Sequence, residues 1–355
     1  MKIKSVKAWL QQLPLTNPYT IAYHVTEDAE IVFLELELEN GIRGIGAANP
    51  FAEVVGETSQ TTLANLQQDF VQQLVGRDIR FFNQMIDEAL LAFPQMPGTI
   101  AAIDIALHDA FCKWLGIRVV DWYGCKKGPL YTSYTIGIKE TDAMLEEAAS
   151  IYARGFRVVK LKTGLDVEAD IERVTQLTEK YRGKMKLRVD ANQGYNLAQL
   201  QRFIKATQSL DIELIEQPLP AGSDNELRQL TDNERKLLTA DESLLDTASA
   251  MELCQPPLPY GSFNIKLMKC GGIRGAREIA LLAQQRNIDL FWGCNDESIV
   301  SITAALHAAY SCANTRYLDL DGSFDLSSDC VTGGFVLQDG ILHCSDKPGL
   351  GLTAA

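Results

Sequence analysis

Four short motifs between residues 160 and 243 constrain this chain more than any other feature. They are Lys160-Leu161-Lys162, Asp190-Ala191-Asn192, Glu216-Gln217-Pro218 and Asp241-Glu242-Ser243. Each closes a short apolar run and is followed by a polar turn and a helix-like pattern. Asp190, Glu216 and Asp241 are spaced 26 and 25 residues apart, which fits one strand, turn and helix repeated. If the strands lie parallel, carboxylates recurring at one phase of this repeat converge in space.

The rest of the chain extends the rhythm. Strand candidates recur near Tyr131–Ile136, Val158–Lys162, Leu187–Asp190, Leu214–Glu216, Leu237–Asp241, Phe263–Leu267, Asp289–Trp292 and Tyr317–Leu320, mostly separated by helical patterns such as Glu168–Tyr181 and Ile273–Arg286. Such units indicate a parallel sheet of right-handed crossovers. Eight of them predict an α/β barrel with its functional groups at the C-terminal strand ends. An open doubly wound sheet is the competing architecture, but no G-x-G-x-x-G turn follows the first strands.

Residues 1 to about 120 follow a different pattern. Ile31 to Glu39 alternates apolar and acidic residues, the signature of a half-buried strand. Asn40-Gly41 then predicts a tight hairpin with both turn positions at positive φ. Helical stretches follow at about 57–75, 80–92 and 98–115, giving an α+β unit. Residues 16–24 lie between the first two strand candidates, a long connection that is either a binding loop or a plain surface loop. Residues 336–342 read as a short hairpin near the C-terminus.

Composition excludes several partners. A net charge of −13 argues against nucleic acid and anionic membrane, which both need a basic patch. Eight scattered cysteines without a C-x-x-C pair are expected to be reduced thiols. Residues 1–5 carry no apolar signal region and no run reaches the ~18 apolar residues of a span. A cytoplasmic protein is expected, with a homo-oligomer possible.

Three acids at successive strand ends supply the hard oxygen ligands that Mg²⁺ prefers. Lys160 and Lys162, two apart on a strand, should both enter the barrel mouth. Their mutual repulsion, and a nearby cation, should depress their pKa values and suit a lysine to general-base work. Lys266 interrupts an otherwise apolar strand roughly opposite, whereas Lys269 differs in parity and is expected to be structural or exposed. A carboxylate substrate on the metal could lose its α-proton to one lysine and regain it from the other, giving racemisation or epimerisation. Were the second lysine only an electrostatic partner, β-elimination or cycloisomerisation would result. On the last strand, Asp319 and Asp321 share a face and suit a cationic group such as a substrate ammonium.

With Lys160-Leu161-Lys162, Asp190-Ala191-Asn192-Gln193, Glu216-Gln217-Pro218, Ala240-Asp241-Glu242-Ser243 and Asn264-Ile265-Lys266 in place, the chain resembles the enolase superfamily. The likeness is to its muconate-lactonizing subgroup and covers essentially the whole length. Asp319-x-Asp321 looks like the mark of the dipeptide epimerases within that subgroup. The resemblance implies a modified (β/α)7β barrel over 126–325, an α+β capping domain from residues 1–125, and a C-terminal segment, 326–355, packing on the cap. It implies Mg²⁺ on Asp190, Glu216 and Asp241, Lys162 and Lys266 as the acid/base pair, and Lys160 neutralising the substrate carboxylate. Thr135 and Asp296 fall where the family contacts substrate, and Asp319 and Asp321 would hold the α-ammonium.

Relatives acting on Ala-Glu dipeptides tend to place a cation in the loop between the first two strands. Here residues 16–25 contain no Lys or Arg and only His24 could carry charge, while Asp296 adds negative charge. An Ala-Xaa dipeptide with a small or hydrophobic second residue is therefore preferred to Ala-Glu. The alternatives are o-succinylbenzoate synthase or muconate cycloisomerase, which need no Asp319-x-Asp321 pair, and a non-catalytic metal-binding barrel, which would not need both lysines.

Overall fold

The structure, a computed structural model, describes residues 1–21 and 24–355, with the side chains of residues 16–27 outside the description. An antiparallel sheet opens the chain as β1 (Ile3–Ile21), β2 (His24–Leu38) and β3 (Arg43–Ala48), in that order. The alternation expected of β2 holds from Leu34 to Glu39. Ile31, Val32 and Phe33 are instead buried on both faces, with Trp9 stacked on Phe33 at 5.4 Å. The β2–β3 hairpin forms, but Gly41 N–H donates to Leu38 O and Gly41 alone takes a positive φ (83°). One left-handed residue suffices there because the loop is longer than two residues.

Residues 16–21 and 24–25 are not a loop between two strands. They prolong the β1–β2 ladder as far as the Ile21–His24 pair, after a register shift between Pro14 and Tyr19. The binding role considered for this stretch, and for His24, concerns side chains outside the described residues. The long helix Pro97–Leu115 lies across β3 and β2 and is buried along most of its length, with Ala101, Ala102, Ala106 and Ala110 fully covered. The expected 57–75 helix is two pieces, Ser59–Leu66 and Asp69–Gln72.

The second sheet has eight strands paired in chain order: β4 (Tyr134–Ile136), β5 (Val158–Lys162), β6 (Lys186–Asp190), β7 (Ile212–Glu216), β8 (Leu238–Ala240), β9 (Ser262–Ile265), β10 (Asp289–Trp292) and β11 (Thr315–Leu318). Every pairing is parallel. Helices connect each strand to the next, and none follows β11 before the tail. The sheet curls until β11 meets the segment before β4, through a parallel Thr132–Leu318 bridge and Ser133 N–H on Leu318 O. This is the modified (β/α)7β barrel.

In the tail, Phe335–Gln338 and Ile341–Cys344 form the expected hairpin, whose second strand pairs with Leu130–Tyr131. Leu350 N–H donates to Asp109 of the long helix at 2.8 Å, and Val119 N–H to Gly349 O at 3.0 Å. Among the described residues, no helix is long and apolar enough to cross a membrane.

Candidate active site

A cleft of about 1120 Å³ lies at the C-terminal ends of the barrel strands, roofed by residues 49–60 and by Asp28 and Glu30 of β2. Lys160, Lys162, Asp241, Lys266, Thr135, Asp296, Asp319 and Asp321 all line it. Asp190 and Glu216 sit beneath, 3.8 and 3.7 Å from the Lys160 ammonium. Alternation along β5 aims both lysines inward, as a pleated strand requires. Lys162 Nζ donates to Asp190 Oδ2 at 2.7 Å and to Asn192 Oδ1 at 2.9 Å. Lys266, just past β9, donates to Asp241 Oδ2 at 2.8 Å. β5 and β9 are four places apart in an eight-stranded order, so Lys162 and Lys266 enter from opposite walls.

The charge balance differs from expectation. Burial works against the Lys160 ammonium, yet Asp319, Glu216 and Asp190 outweigh it and raise its pKa well above the ordinary value. Lys266 is likewise raised, with Asp241 and Glu216 overcoming burial. In each case the facing carboxylates prevail over burial, and at Lys266 over the repulsion from Lys160 as well. Lys269 is the lysine whose pKa is lowered, by burial first. It is buried, not exposed, and its ammonium reaches the Asp241 carboxylate and, at 2.6 Å, Asp241 O.

Among the described residues, no three His, Cys, Asp or Glu side chains are already closed around a metal position. Lysines pair with Asp190 and Asp241 instead. The donor chemistry nevertheless fits a hard divalent cation. All three acids are buried, and Glu216 Oε2 has no hydrogen-bond partner. Burial and then the Asp190 and Asp241 carboxylates push Glu216 well above the usual carboxylate range, a cost that a bound cation would relieve. Asn264 holds its other oxygen. Glu242, pushed up to about 7 by burial and then by Asp241 and Asp190, also has an unpartnered oxygen.

Across the mouth, Asp319 is fully engaged. Its Oδ2 accepts from Lys160 and its Oδ1 from Ser133 Oγ at 2.5 Å. Burial opposes its charge, but Lys160 and Ser133 hold its carboxyl below the usual range. Asp321 Oδ2 accepts from Thr135 N–H at 2.8 Å, and burial together with Asp319 pushes it up to about 6. Thr135 thus meets Asp321 through its backbone. Asp296 lies on the cap side, where Asn49 Nδ2 donates to its backbone carbonyl at 2.5 Å and Asn295 Nδ2 donates to Asn49 O at 2.9 Å.

Sequence reasoning overlooked Arg188 and Ser133. Arg188 is 3% exposed inside the barrel, donating to Leu318 O at 2.5 Å, Ser133 Oγ at 3.1 Å and Glu213 at 3.0 Å, with the Phe291 and Tyr317 rings about it. It forms the floor beneath the Lys160–Asp319 pair. The signal was present, since Arg188 shares the parity of Asp190 on β6 and must face inward.

Known proteins match this arrangement over the whole chain. Residues 4–124 match the mandelate racemase/muconate lactonizing enzyme N-terminal domain, and residues 143–355 the enolase C-terminal domain-like family. An L-Lys-D/L-Arg epimerase of Desulforapulum autotrophicum is 48% identical over 99% of both chains. A hydrophobic dipeptide epimerase of Enterococcus faecalis is 34% identical, covering 99% of this chain and 100% of its own. The crystal structure of a dipeptide epimerase from Methylococcus capsulatus, complexed with Mg and L-Arg-D-Lys, superposes with a TM-score of 0.97 at 46% identity, over 99% of this chain and 100% of that one. The chain therefore belongs to the enolase superfamily, in its mandelate racemase/muconate lactonizing enzyme group, among isomerases that epimerise dipeptides.

Proposed function

We propose that this protein is a Mg²⁺-dependent epimerase of dipeptides with cationic side chains, inverting the α-carbon of the C-terminal residue through Lys162 and Lys266. One observation carries the reading: two lysines on opposite barrel walls, each anchored to a carboxylate. Asp190, Glu216 and Asp241 would hold the metal, whose positive charge makes the proton beside a carboxylate acidic. Lys162, steered by Asp190 and Asn192, takes or returns that proton on one face, and Lys266, steered by Asp241, does so on the other. Lys160 supplies positive charge beside the substrate carboxylate. Asp321, with Asp319 behind it, receives the α-ammonium, and Thr135 keeps Asp321 oriented.

The cleft wall and the relatives both support this residue class. Asp28, Glu30, Glu53, Asp296 and Asp325 line the outer cleft, a field that favours Lys or Arg side chains over the small or hydrophobic residue preferred from sequence. Two relatives at 48% and 47% identity are named L-Lys-D/L-Arg epimerases. The hydrophobic reading keeps one support, the apolar Pro50, Phe51, Val54 and Val55 on the roof. Comparing kcat/KM for L-Lys-L-Arg, L-Ala-L-Val and L-Ala-L-Glu decides between them. L-Lys-L-Arg should be turned over fastest; faster L-Ala-L-Val would restore the hydrophobic reading, and faster L-Ala-L-Glu would overturn both. The eight cysteines are all free thiols, which supports a reducing, cytoplasmic setting.

A further inference from the structure

The chain from Lys266 to Arg274 forms one compact turn. Lys266 O accepts from Lys269 N–H at 3.0 Å, Cys270 N–H at 3.3 Å and the Cys270 thiol at 3.3 Å, while Gly272 N–H returns to Leu267 O at 3.0 Å. The chain then enters the helix Ile273–Gln285, whose first N–H groups need acceptors. Helices after β5, β6, β8 and β10 are capped by the residue just before them: Asp166, Asn196, Asp246 and Ser298. Here that residue is Gly272, with no side chain to offer. It sits at a φ of +95°, where an added Cβ would lie 2.6 Å from Asp104 Oδ1.

The missing cap arrives from the other domain. Asp104, on the long helix Pro97–Leu115, accepts from Ile273 N–H at 2.7 Å through Oδ1 and from Arg274 N–H at 3.3 Å through Oδ2. The carboxylate is completely buried and is itself held. His108 Nδ1 lies 3.3 Å from Oδ1 and 2.8 Å from Asp104 O, and His108 Nε2 is 2.5 Å from the Tyr123 hydroxyl. The Tyr123 ring packs 3.8 Å from the guanidinium of Arg277, on the capped helix. The same turn carries Lys269 to Asp241 and, at 3.2 Å, to Asn264 O.

We propose that Asp104, locked by His108 and Tyr123, is a positioning residue for Lys266, so that the capping domain sets the geometry of one of the two lysines and not of the other. This rests on the two-lysine reading above. A buried carboxylate removed from a helix start leaves two N–H groups without acceptors. The turn that fixes Lys266 then loosens, while Lys162 keeps its own supports on β5 and β6.

The test is solvent exchange at the α-carbon in deuterated water, started separately from L-Lys-L-Arg and L-Lys-D-Arg. Lys266→Ala and Lys162→Ala first assign each epimer to a lysine. Asp104→Ala should then slow exchange of the Lys266-side epimer by about tenfold or more, and that of the other epimer by less than about threefold. Asp104→Asn, which keeps one acceptor, should recover part of the loss. Amide hydrogen exchange should quicken at residues 267–274 and stay unchanged at residues 163–170, a readout independent of turnover. Equal slowing of both epimers, or unchanged exchange at residues 267–274, would overturn the positioning role alone. If the wild type exchanged neither epimer, the two-lysine reading would fall, and this inference with it.

Discussion

The two walls of the cleft hold their lysines by different means. On the Lys162 wall, every support comes from the barrel itself. Asp190 and Asn192 receive the ammonium, and the following loop is fixed by Asp170, which accepts from Gly164 N–H at 2.9 Å and from the Tyr195 hydroxyl at 2.7 Å. On the Lys266 wall, Asp241 receives the ammonium, but the turn behind it is fixed by Asp104, from a helix 169 residues earlier in the chain. One lysine is therefore held by barrel residues, whereas the turn that carries the other is hydrogen-bonded to the long helix Pro97–Leu115. On the two-lysine proposal, a chain organised this way would tune one face of the proton transfer through the cap, whose residues also line the cleft.

The largest effect that could break this comparison comes from removing the two lysines. Lys162→Ala and Lys266→Ala should each lower epimerisation by about a thousandfold, within the range for general acid–base groups. Each variant should still exchange the α-proton of one epimer, and the two should retain opposite epimers. Near wild-type epimerisation by both would end the two-base assignment. Retention of the same epimer would put both lysines on one side of the substrate.

The next effect concerns what the walls share. Asp190→Asn should weaken Mg²⁺ binding by about tenfold or more, measured by titration calorimetry without substrate, with activity falling in parallel. Unchanged affinity would remove Asp190 from the ligand set and leave it only as the Lys162 anchor. Asp170→Ala then serves as the mirror of the Asp104 variant. It should slow exchange of the Lys162-side epimer by several-fold and spare the other, and equal slowing would show that the walls are not independent.

How much of this was legible depends on sequence distance. Lys160, Lys162, Asp190, Glu216 and Asp241 could be found because strand parity and a βα repeat each fix where a side chain points. The same parity argument failed at Lys269. The strand stops at Ile265, and a turn of helix over Leu267–Cys270 brings Lys269 round beside Lys266, where i and i+3 share a face. Asp319 lines the cleft, but its partner Lys160 lies 159 residues away across the seam where β11 closes on β4. No local pattern encodes such a pairing. Asp104 was equally hidden, an acid within an Ala-rich helix whose purpose appears only when Gly272 is seen to need a cap.

An effect on stability rather than on turnover bears on how the loop beside the cap responds to pH. Glu297 follows Asn295 and Asp296 in the loop after β10, and its Oε1 accepts from Asn295 N–H at 2.9 Å, the residue that in turn donates to Asn49 of the cap. Burial pushes Glu297 up to about 7, with Asn295 and Ser301 pulling the other way. A group whose pKa is raised on folding binds its proton more tightly in the native state, so its contribution is complete below the unfolded pKa near 4.5 and is lost as pH rises through about 7. Between those limits stability should fall by about 3 kcal/mol at most, since each tenfold gain in proton affinity is worth about 1.4 kcal/mol. Glu297→Gln keeps an acceptor for Asn295 N–H and cannot ionise, so its denaturation midpoint should exceed the wild type's above pH 7 and should vary less from pH 4.5 to 7. A wild-type stability that climbs with pH across this window, unchanged in Glu297→Gln, would mean that Glu297 ionises freely and that the loop bearing Asp296 is looser than its burial implies.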